Sequence, residues 1–476
     1  MGKGELCTNN NYKRLVIAGT SSGVGKTSIT IGIMKALNDI GYKVQGFKVG
    51  PDYIDPSYHT SITGRASRNL DPWLMGEDGL VTSFVNAMHD ADVAVVEGVM
   101  GMYDGLSGKD DYASTAHVAR ILKSPVILVL DASKSARSIA AVALGFIRYG
   151  GYTRIKGVIL NNVASDRHAE YCKEALEQLN IQVVGVVKRS NDIMLEERHL
   201  GLIPTYESKF IHDKAYKVAS YVKDHLNINA LVSIVENSVK ERLNISYNKG
   251  SSSIIINSNT NSNRKKKDFS IGVALDESFN FYYTDNIDML KNYADVVFFS
   301  PLHDNDLPNC DALYIGGGFP EVLADALSKN ISMMSNIRRV AEDGMPIYAE
   351  CGGLMYLSRC IINNDSKYRM VGLLDADTLM SKKLTLNYTE AKVVKPCIVS
   401  ASINRVIRGH EFHYSALDNI ANDSTFAYEM LKGKGIDGKH DGLIVYNTLA
   451  SYMHIHFAYK DIVKNVIEGC RAYKRK

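Results

Sequence analysis

The chain has 476 residues, 45% of them hydrophobic and 22% charged, with 55 basic against 52 acidic side chains and a formal charge of +3. At about 150 residues per domain this suggests two or three globular domains, and it excludes a largely disordered chain. So even a charge balance gives no reason to expect a nucleic-acid or membrane-surface partner. Seven cysteines are scattered without a C-x-x-C pair, which fits neither a disulfide scaffold nor a structural zinc site and points to a reducing compartment. The first residues, MGKGELCTNNNYKR, lack the apolar stretch of a signal peptide, and no apolar run approaches the ~20 residues of a membrane span. The chain therefore reads as soluble and cytoplasmic.

In chain order, Arg14–Ala18, Val44–Val49, Val93–Val96, Val126–Leu130 and Lys156–Leu160 are β-branched runs of buried-strand character. Between the first two, Ile29, Ile33, Leu37 and Ile40 recur at helical spacing. Alternation of this kind predicts a parallel sheet covered by helices on both faces. Residues 246–268, SYNKGSSSIIINSNTNSNRKKKD, bury too little apolar surface to offset their ordering entropy and read as a flexible linker. Beyond it Ser270–Leu275, Val296–Phe299, Ala312–Ile315 and Pro346–Ala349 repeat the α/β pattern. The expected division is 1–245, linker 246–268, and 269–476.

Residues 19–27 read GTSSGVGKT between the first strand and the first helix. The backbone of Gly23, Val24 and Gly25 can turn its N–H groups toward phosphate oxygens, at a helix start that favours negative charge. Lys26 can reach the terminal phosphates, Thr27 can offer its hydroxyl to Mg²⁺, and Ser28 follows in the first helical turn. Thr20 stands where the usual pattern has its first glycine, and Gly19 lies one step earlier. Glu97 ends the Val93 strand, and Asp52 and Asp55 follow the Val44 strand in GPDYIDP. Acids at the carboxyl ends of parallel strands are placed to hold a metal or an activated substrate. Asn161 ends a further strand on that edge, where its amide can face an adenine.

Residues 346–357, PIYAECGGLMYL, read as a sharp strand-to-helix turn that presents Cys351 as a nucleophile. The helix start is expected to favour its thiolate. The N–H of Gly352 and the loop Gly316–Gly318 are candidates for binding an oxyanion. The runs 408–414 (RGHEFHY) and 451–457 (SYMHIHF) offer four histidines as the base, the second pair on one face of an expected strand. Spacing alone leaves that choice open.

In order, GTSSGVGKT, KVGPDYIDPSYH, NLDPW, VVEGVMGMYDG, IGGGFPE, AECGGLMYL and GHEFHYS resemble the cobyrinate a,c-diamide synthases. The first motif alone would also resemble dethiobiotin synthetase or partitioning ATPases. The resemblance implies an N-terminal P-loop domain of the dethiobiotin-synthetase type and a C-terminal, flavodoxin-like class I glutamine amidotransferase domain. It implies ATP and Mg²⁺ as cofactors, L-glutamine as nitrogen donor and a cobyrinate-type tetrapyrrole as acceptor, amidated at its a and c acetates through an acyl phosphate. It assigns Cys351 as nucleophile, His454 as base, and Gly317, Gly318 and Gly352 as oxyanion donors. Asp52, Tyr53, Ile54 and Asp55 are assigned to the substrate carboxylates, and Thr27, Glu97 and Asp52 to the metal. His456 stands where many such enzymes carry the glutamate that orients the base, and His410 and His413 match a motif without an assigned step. Nickel-sirohydrochlorin and hydrogenobyrinate a,c-diamide synthases are the near rivals, and a partitioning-type ATPase switch the distant one. The reading leaves room for a homodimer.

Overall fold

A computed structural model describes residues 11–150, 154–190, 195, 197–198, 201–202, 209–243, 267–459 and 462–475. Almost all of the expected linker, 246–266, lies outside the described residues. The chain divides into two compact units, Met1–Pro72 with Gly76–Lys249, and Trp73–Met75 with Gly250–Lys476. Among the described residues no helix is long and apolar enough to cross a membrane.

The first unit is built on strands β1 (Lys13–Gly19), β2 (Val44–Val49), β3 (Arg68–Leu70), β4 (Val93–Glu97), β5 (Val126–Asp131), β6 (Ile155–Val163) and β7 (Val183–Lys188). They form one sheet in the order β3-β2-β4-β1-β5-β6-β7, with every pairing parallel. Its central strands are buried on both faces, as a sheet with helices on both sides requires. The helix Lys26–Asp39 buries Ile29, Ile33 and Leu37, whereas Ile40, read from its spacing as part of the apolar face, is the exposed residue that ends the helix. A two-residue pair, β8 (Glu197–Arg198) with β9 (Gly201–Leu202), lies outside this sheet.

The second unit has β10 (Ser270–Ala274), β11 (Asp295–Phe299), β12 (Ala312–Ile315), β13 (Ile347–Glu350), β14 (Cys360–Asn363), β15 (Ser366–Arg369), β16 (Asp377–Val393), β17 (Val406–Asp418), β18 (Thr425–Lys432), β19 (His440–Val445) and β20 (Thr448–Ser451). Five of these, β11-β10-β12-β13-β20, are parallel neighbours, which is the flavodoxin order. The sheet then continues into a largely antiparallel half through β19, β18, β16 and β17. That half departs from the expected simple repeat of parallel units. Alternate residues feed two cores: Leu313, Ile315, Ile347 and Ala349 on one face, and Ala312, Tyr314, Tyr348 and Leu449 on the other. In both units the carboxyl ends of the parallel strands carry the residues singled out from the sequence, except His410 and His413, which lie within the antiparallel β17.

Candidate functional site

In the first unit, Gly23 (φ 76°) and Gly25 (φ 89°) take left-handed conformations between β1 and the helix Lys26–Asp39. A Cβ on Gly25 would stand 2.3 Å from the Asn161 amide nitrogen, so glycine is needed there for both backbone and space. Asn161 donates to the Val24 carbonyl at 2.9 Å and thus braces the loop. Lys26 folds back over it, its Nζ bonded to the carbonyls of Ser21 (2.9 Å) and Met100 (2.7 Å). Burial, and then the nearby Lys48 ammonium, bring Lys26 down to about 8. Carbonyl partners that a lysine can leave, and a charge short of counter-charge, suit it to an incoming anion.

The expected acids gather around Lys48, which sequence reasoning did not single out. Strand register sets Lys48 opposite Glu97. Its Nζ lies 2.5 Å from Asp55 Oδ2, 2.9 Å from Glu97 Oε1 and 3.9 Å from Asp52 Oδ2. Despite burial, these three carboxylates hold Lys48 protonated, above the usual lysine range. Glu97 also accepts from the Thr27 hydroxyl (2.7 Å) and contacts His59 Nε2 (2.6 Å), whose other ring nitrogen meets Ser67 Oγ at 3.1 Å. Burial opposes ionisation of Glu97, but Lys48, His59 and Thr27 outweigh it and hold its carboxyl far below the usual range. Asp55 is pushed the other way by burial and by Asp52. Asp52 accepts from the N–H groups of Ile54 (2.8 Å) and Asp55 (3.1 Å), and Tyr53 and Ile54 are buried. Thr27, Glu97 and Asp52 are hard oxygen donors of the kind Mg²⁺ takes alongside phosphate. Among the described residues no cluster of three or more His, Cys, Asp or Glu forms a metal cage of its own.

In the second unit, Cys351 follows the last residue of β13 at φ 47°, ψ −96°, and the helix Gly352–Leu357 begins at the next residue. Such a conformation is costly for a non-glycine residue and marks functional turns. The helix can start there because Gly353 comes so near β12 that a Cβ would stand 2.2 Å from the Ile315 carbonyl. Parallel pairing sets Glu350 opposite Ser451, and Cys351 N–H donates to the Ser451 carbonyl at 2.7 Å. The chain then leaves β20 and reaches His454 three residues later. Gly317, Gly318, Gly352 and His454 converge: a Cβ on Gly317 would meet His454 Cε1 at 2.6 Å, and one on Gly352 would meet Gly318 N at 3.0 Å. The Gly316 N–H is taken by Tyr282 Oη at 2.8 Å, which removes it from the candidate oxyanion donors.

Two expectations are corrected here. The Cys351 thiol is pushed up, not down: burial dominates, Glu321 adds to it, and the Gly352 N–H opposes it only in part. A surface helix terminus contributes about 0.3–1 kcal/mol, whereas desolvating a charge costs several kcal/mol. The thiol is 3% exposed, with Sγ 3.6 Å from the Phe412 carbonyl it faces. The segment 451–457 is also not a strand throughout. β20 ends at Ser451, and His454 pairs with His410 in an isolated antiparallel bridge (His454 N to His410 O, 2.8 Å). Asp441 fixes that irregular stretch by accepting from the N–H groups of Tyr452 and Met453, both at 3.0 Å, and burial raises it to about 7.

The other histidines now separate. His410 stacks on His454 with ring centroids 4.9 Å apart and meets Tyr283 Oη at 3.0 Å. Burial, then His454, lowers it well below the usual histidine range. His413 lies flat on Tyr452 at 3.8 Å and meets the Ser415 carbonyl at 2.8 Å. His456 faces Asp285 Oδ2 at 3.5 Å and packs on Tyr283.

The comparisons agree with this division. Residues 15–203 match the CobQ/CobB/MinD/ParA nucleotide binding domain, and residues 270–462 the CobB/CobQ-like glutamine amidotransferase domain. A protein of Methanosphaera stadtmanae named cobyrinate a,c-diamide synthase is 44% identical over 455 residues, covering 94% of this chain and 96% of its own. One of the same name from Archaeoglobus fulgidus is 40% identical over 466 residues, covering 97% and 98%. Another, from Methanocaldococcus jannaschii, is 43% identical over 449 residues, covering 93% and 96%. With a phosphate-type loop in one unit, an elbow cysteine in the other, and this similarity running through both, the chain belongs to the cobyrinate a,c-diamide synthase family.

Proposed function

We propose that this chain uses ATP and glutamine to convert the a- and c-acetate carboxylates of cobyrinate into amides, in the cytoplasm, where ATP and a reduced Cys351 coexist. The observation that carries the reading is the pairing, within one chain, of the Thr27–Glu97–Lys48 cluster beside the 19–27 loop with Cys351 at a φ 47° strand-to-helix turn. In the first unit a substrate carboxylate oxygen attacks the γ-phosphorus of ATP, and the bond to the β-phosphate oxygen breaks to release ADP. Loop N–H groups of Gly23 to Gly25, with Lys26 and Ser28, hold the phosphates, and Asn161 keeps the loop in shape. Thr27 and Glu97, with Asp52 beside them, would hold Mg²⁺, which supplies charge neutralisation at the phosphate oxygens. Tyr53, Ile54 and Asp55 lie on the turn that would border the macrocycle's acetate. Ammonia nitrogen then adds to the acyl carbon, phosphate leaves, and loss of a proton yields the amide.

In the second unit Cys351 Sγ attacks the side-chain carbonyl carbon of glutamine. The thiol proton passes to His454 and on to the departing nitrogen, so that ammonia leaves and a thioester remains. Water hydrolyses the thioester to glutamate and restores the thiol. Gly318 and Gly352 N–H groups, with Gly317 keeping the approach open, receive the oxyanion. Because the free thiol is held neutral, the base must act in the substrate complex. The test offers cobyrinate, hydrogenobyrinate and nickel-sirohydrochlorin separately, each with ATP, Mg²⁺ and glutamine, and follows products by mass spectrometry. Conversion of two carboxylates of cobyrinate into amides is expected; preferential conversion of either other macrocycle reassigns the substrate, and none with any macrocycle removes the reading.

A further inference from the structure

The base His454 lacks an orienting carboxylate two residues on, because that place is taken by His456, whose ring faces Asp285. A carboxylate nevertheless stands against His454. Glu350, the residue before the nucleophile, is 1% exposed, and its Oε2 lies 3.7 Å from His454 Nδ1. That separation is a charge contact rather than a hydrogen bond. Three donors hold the carboxylate there: Tyr314 Oη to Oε2 at 2.7 Å, Tyr348 Oη to Oε1 at 2.6 Å, and the Ile455 N–H to Oε1 at 2.9 Å. The last of these comes from the residue after His454, so one carboxylate fixes both the backbone and the ring side of the base. A buried acid with three donors is not a bystander of packing; its site is built for it.

We infer that Glu350 is the positioning residue for His454, supplying from the strand end beside the nucleophile the negative charge that steadies the imidazolium formed when Cys351 gives up its proton. Strand alternation makes this workable. Tyr348 and Glu350 point to the same face of β13 and Tyr314 rises from β12 beside them, while the turn at Cys351 sends the thiol the other way. The inference rests on the reading of Cys351 and His454 as the glutamine-hydrolysing pair, and the experiment separates the two.

Wild type and Glu350→Gln are exposed to 6-diazo-5-oxo-norleucine, a glutamine analogue that is captured covalently by an activated thiol, and Cys351 adduct formation is timed by mass spectrometry. The same proteins are assayed for glutamine-dependent and ammonium-dependent amidation of cobyrinate. Glu350→Gln keeps the size of the side chain and removes its charge. The expected result is capture and glutamine kcat both slower by on the order of 100-fold, less than the ~10⁴-fold that losing the hydrogen-bonded acid of a triad costs, because Glu350 acts on His454 across 3.7 Å, with KM for glutamine within about threefold and ammonium-dependent synthesis retained. Wild-type capture rates in Glu350→Gln, or equal loss of both nitrogen sources, overturn the inference. Absence of Cys351 capture in wild type overturns the reading beneath it instead. Should Glu350→Gln not fold, Tyr348→Phe carries the test: removal of one of the three donors is expected to slow capture by roughly tenfold, and an unchanged rate refutes the role.

Discussion

The two sites handle charge in opposite ways. Beside the phosphate-type loop a charge pair is already formed and buried: Lys48 meets Glu97, with Asp55 and the half-buried Asp52 at its edge, and Glu97 in turn meets Thr27 and His59. At the elbow the proposed nucleophile is a thiol pushed up by burial and facing a backbone carbonyl. Breaking a buried pair leaves an uncompensated charge and costs about 3–5 kcal/mol, so the first network is rigid and its field is present before any ligand arrives. Such preorganisation suits a reaction in which phosphoryl charge moves between oxygens. The elbow suits one in which the nucleophile must not react until its own substrate has entered. One chain thus contains a site that is switched on by its fold and another that waits.

The sharpest way to break this comparison is to remove the waiting reactant. Cys351→Ser is expected to lower glutamine-dependent amidation by on the order of 10⁴-fold or more, as loss of a covalent nucleophile does. With ammonium as donor the rate should stay within about twofold, because the first site is untouched. Steady-state rates with the two nitrogen donors decide it, and parallel loss would mean that the sites do not divide the work. The next effect falls on the preformed site. Lys26→Ala removes the ammonium that meets the carbonyls of Ser21 and Met100. Both glutamine- and ammonium-dependent rates should drop by on the order of 10³-fold through lost stabilisation of transferring phosphate charge. A variant with full turnover would take the loop out of the chemistry.

How much of each site could be read from the sequence follows the same contrast. The 19–27 loop and the Cys351 elbow were legible because their residues are consecutive and sit between a strand and a helix, so local patterning carries the signal. Lys48 was not, because its meaning comes from the parallel register that sets it opposite Glu97, 49 positions away; a lysine inside the apolar run VQGFKV was the available clue. His59 reaches Glu97 only through the placing of the helix Asp55–Thr63. Glu350 carries no local mark, since the strand read from the sequence stops at Ala349 and its meaning comes from distant partners, Tyr314, Tyr348 and Ile455. The antiparallel half was missed for a different reason. β16 runs from buried ends through an exposed, polar middle, Ser381–Leu384, which blurs the alternation that marks a strand. The thiolate expectation failed because a helix start can be seen in a sequence and burial cannot.

A smaller effect tests how closely the waiting site is fitted. Gly317→Ala places a methyl group 2.6 Å from His454 Cε1, inside contact distance, so the ring must move. Displacement of a catalytic group by a fraction of an ångström to one ångström costs up to about 10²-fold, and a loss of roughly 10- to 100-fold in glutamine-dependent kcat is expected. Ammonium-dependent synthesis should be unaffected. If Gly317→Ala works as well as wild type, His454 is not held where the structure puts it. The variant also separates positioning from charge: unlike Glu350→Gln, it removes no ionisable group.

The smallest effect is a proton. In the free protein burial and Lys48 hold Lys26 down to about 8, and a bound triphosphate favours its charged form. Below about pH 8 the side chain is already protonated and ATP binding takes up little proton at this position. Above it, binding must first protonate the lysine, so affinity falls as pH rises, with a slope approaching about one log unit per pH unit. Calorimetric titration of ATP at about pH 9 in buffers of different ionisation heat should therefore show uptake approaching one proton, and a much smaller uptake at about pH 7. Lys26→Arg, always charged, should abolish the difference between the two pH values even if it binds more weakly. Identical uptake in wild type at both pH values would show that Lys26 is not the charge ATP meets, and that the first site is less completely set in advance than its carboxylates imply.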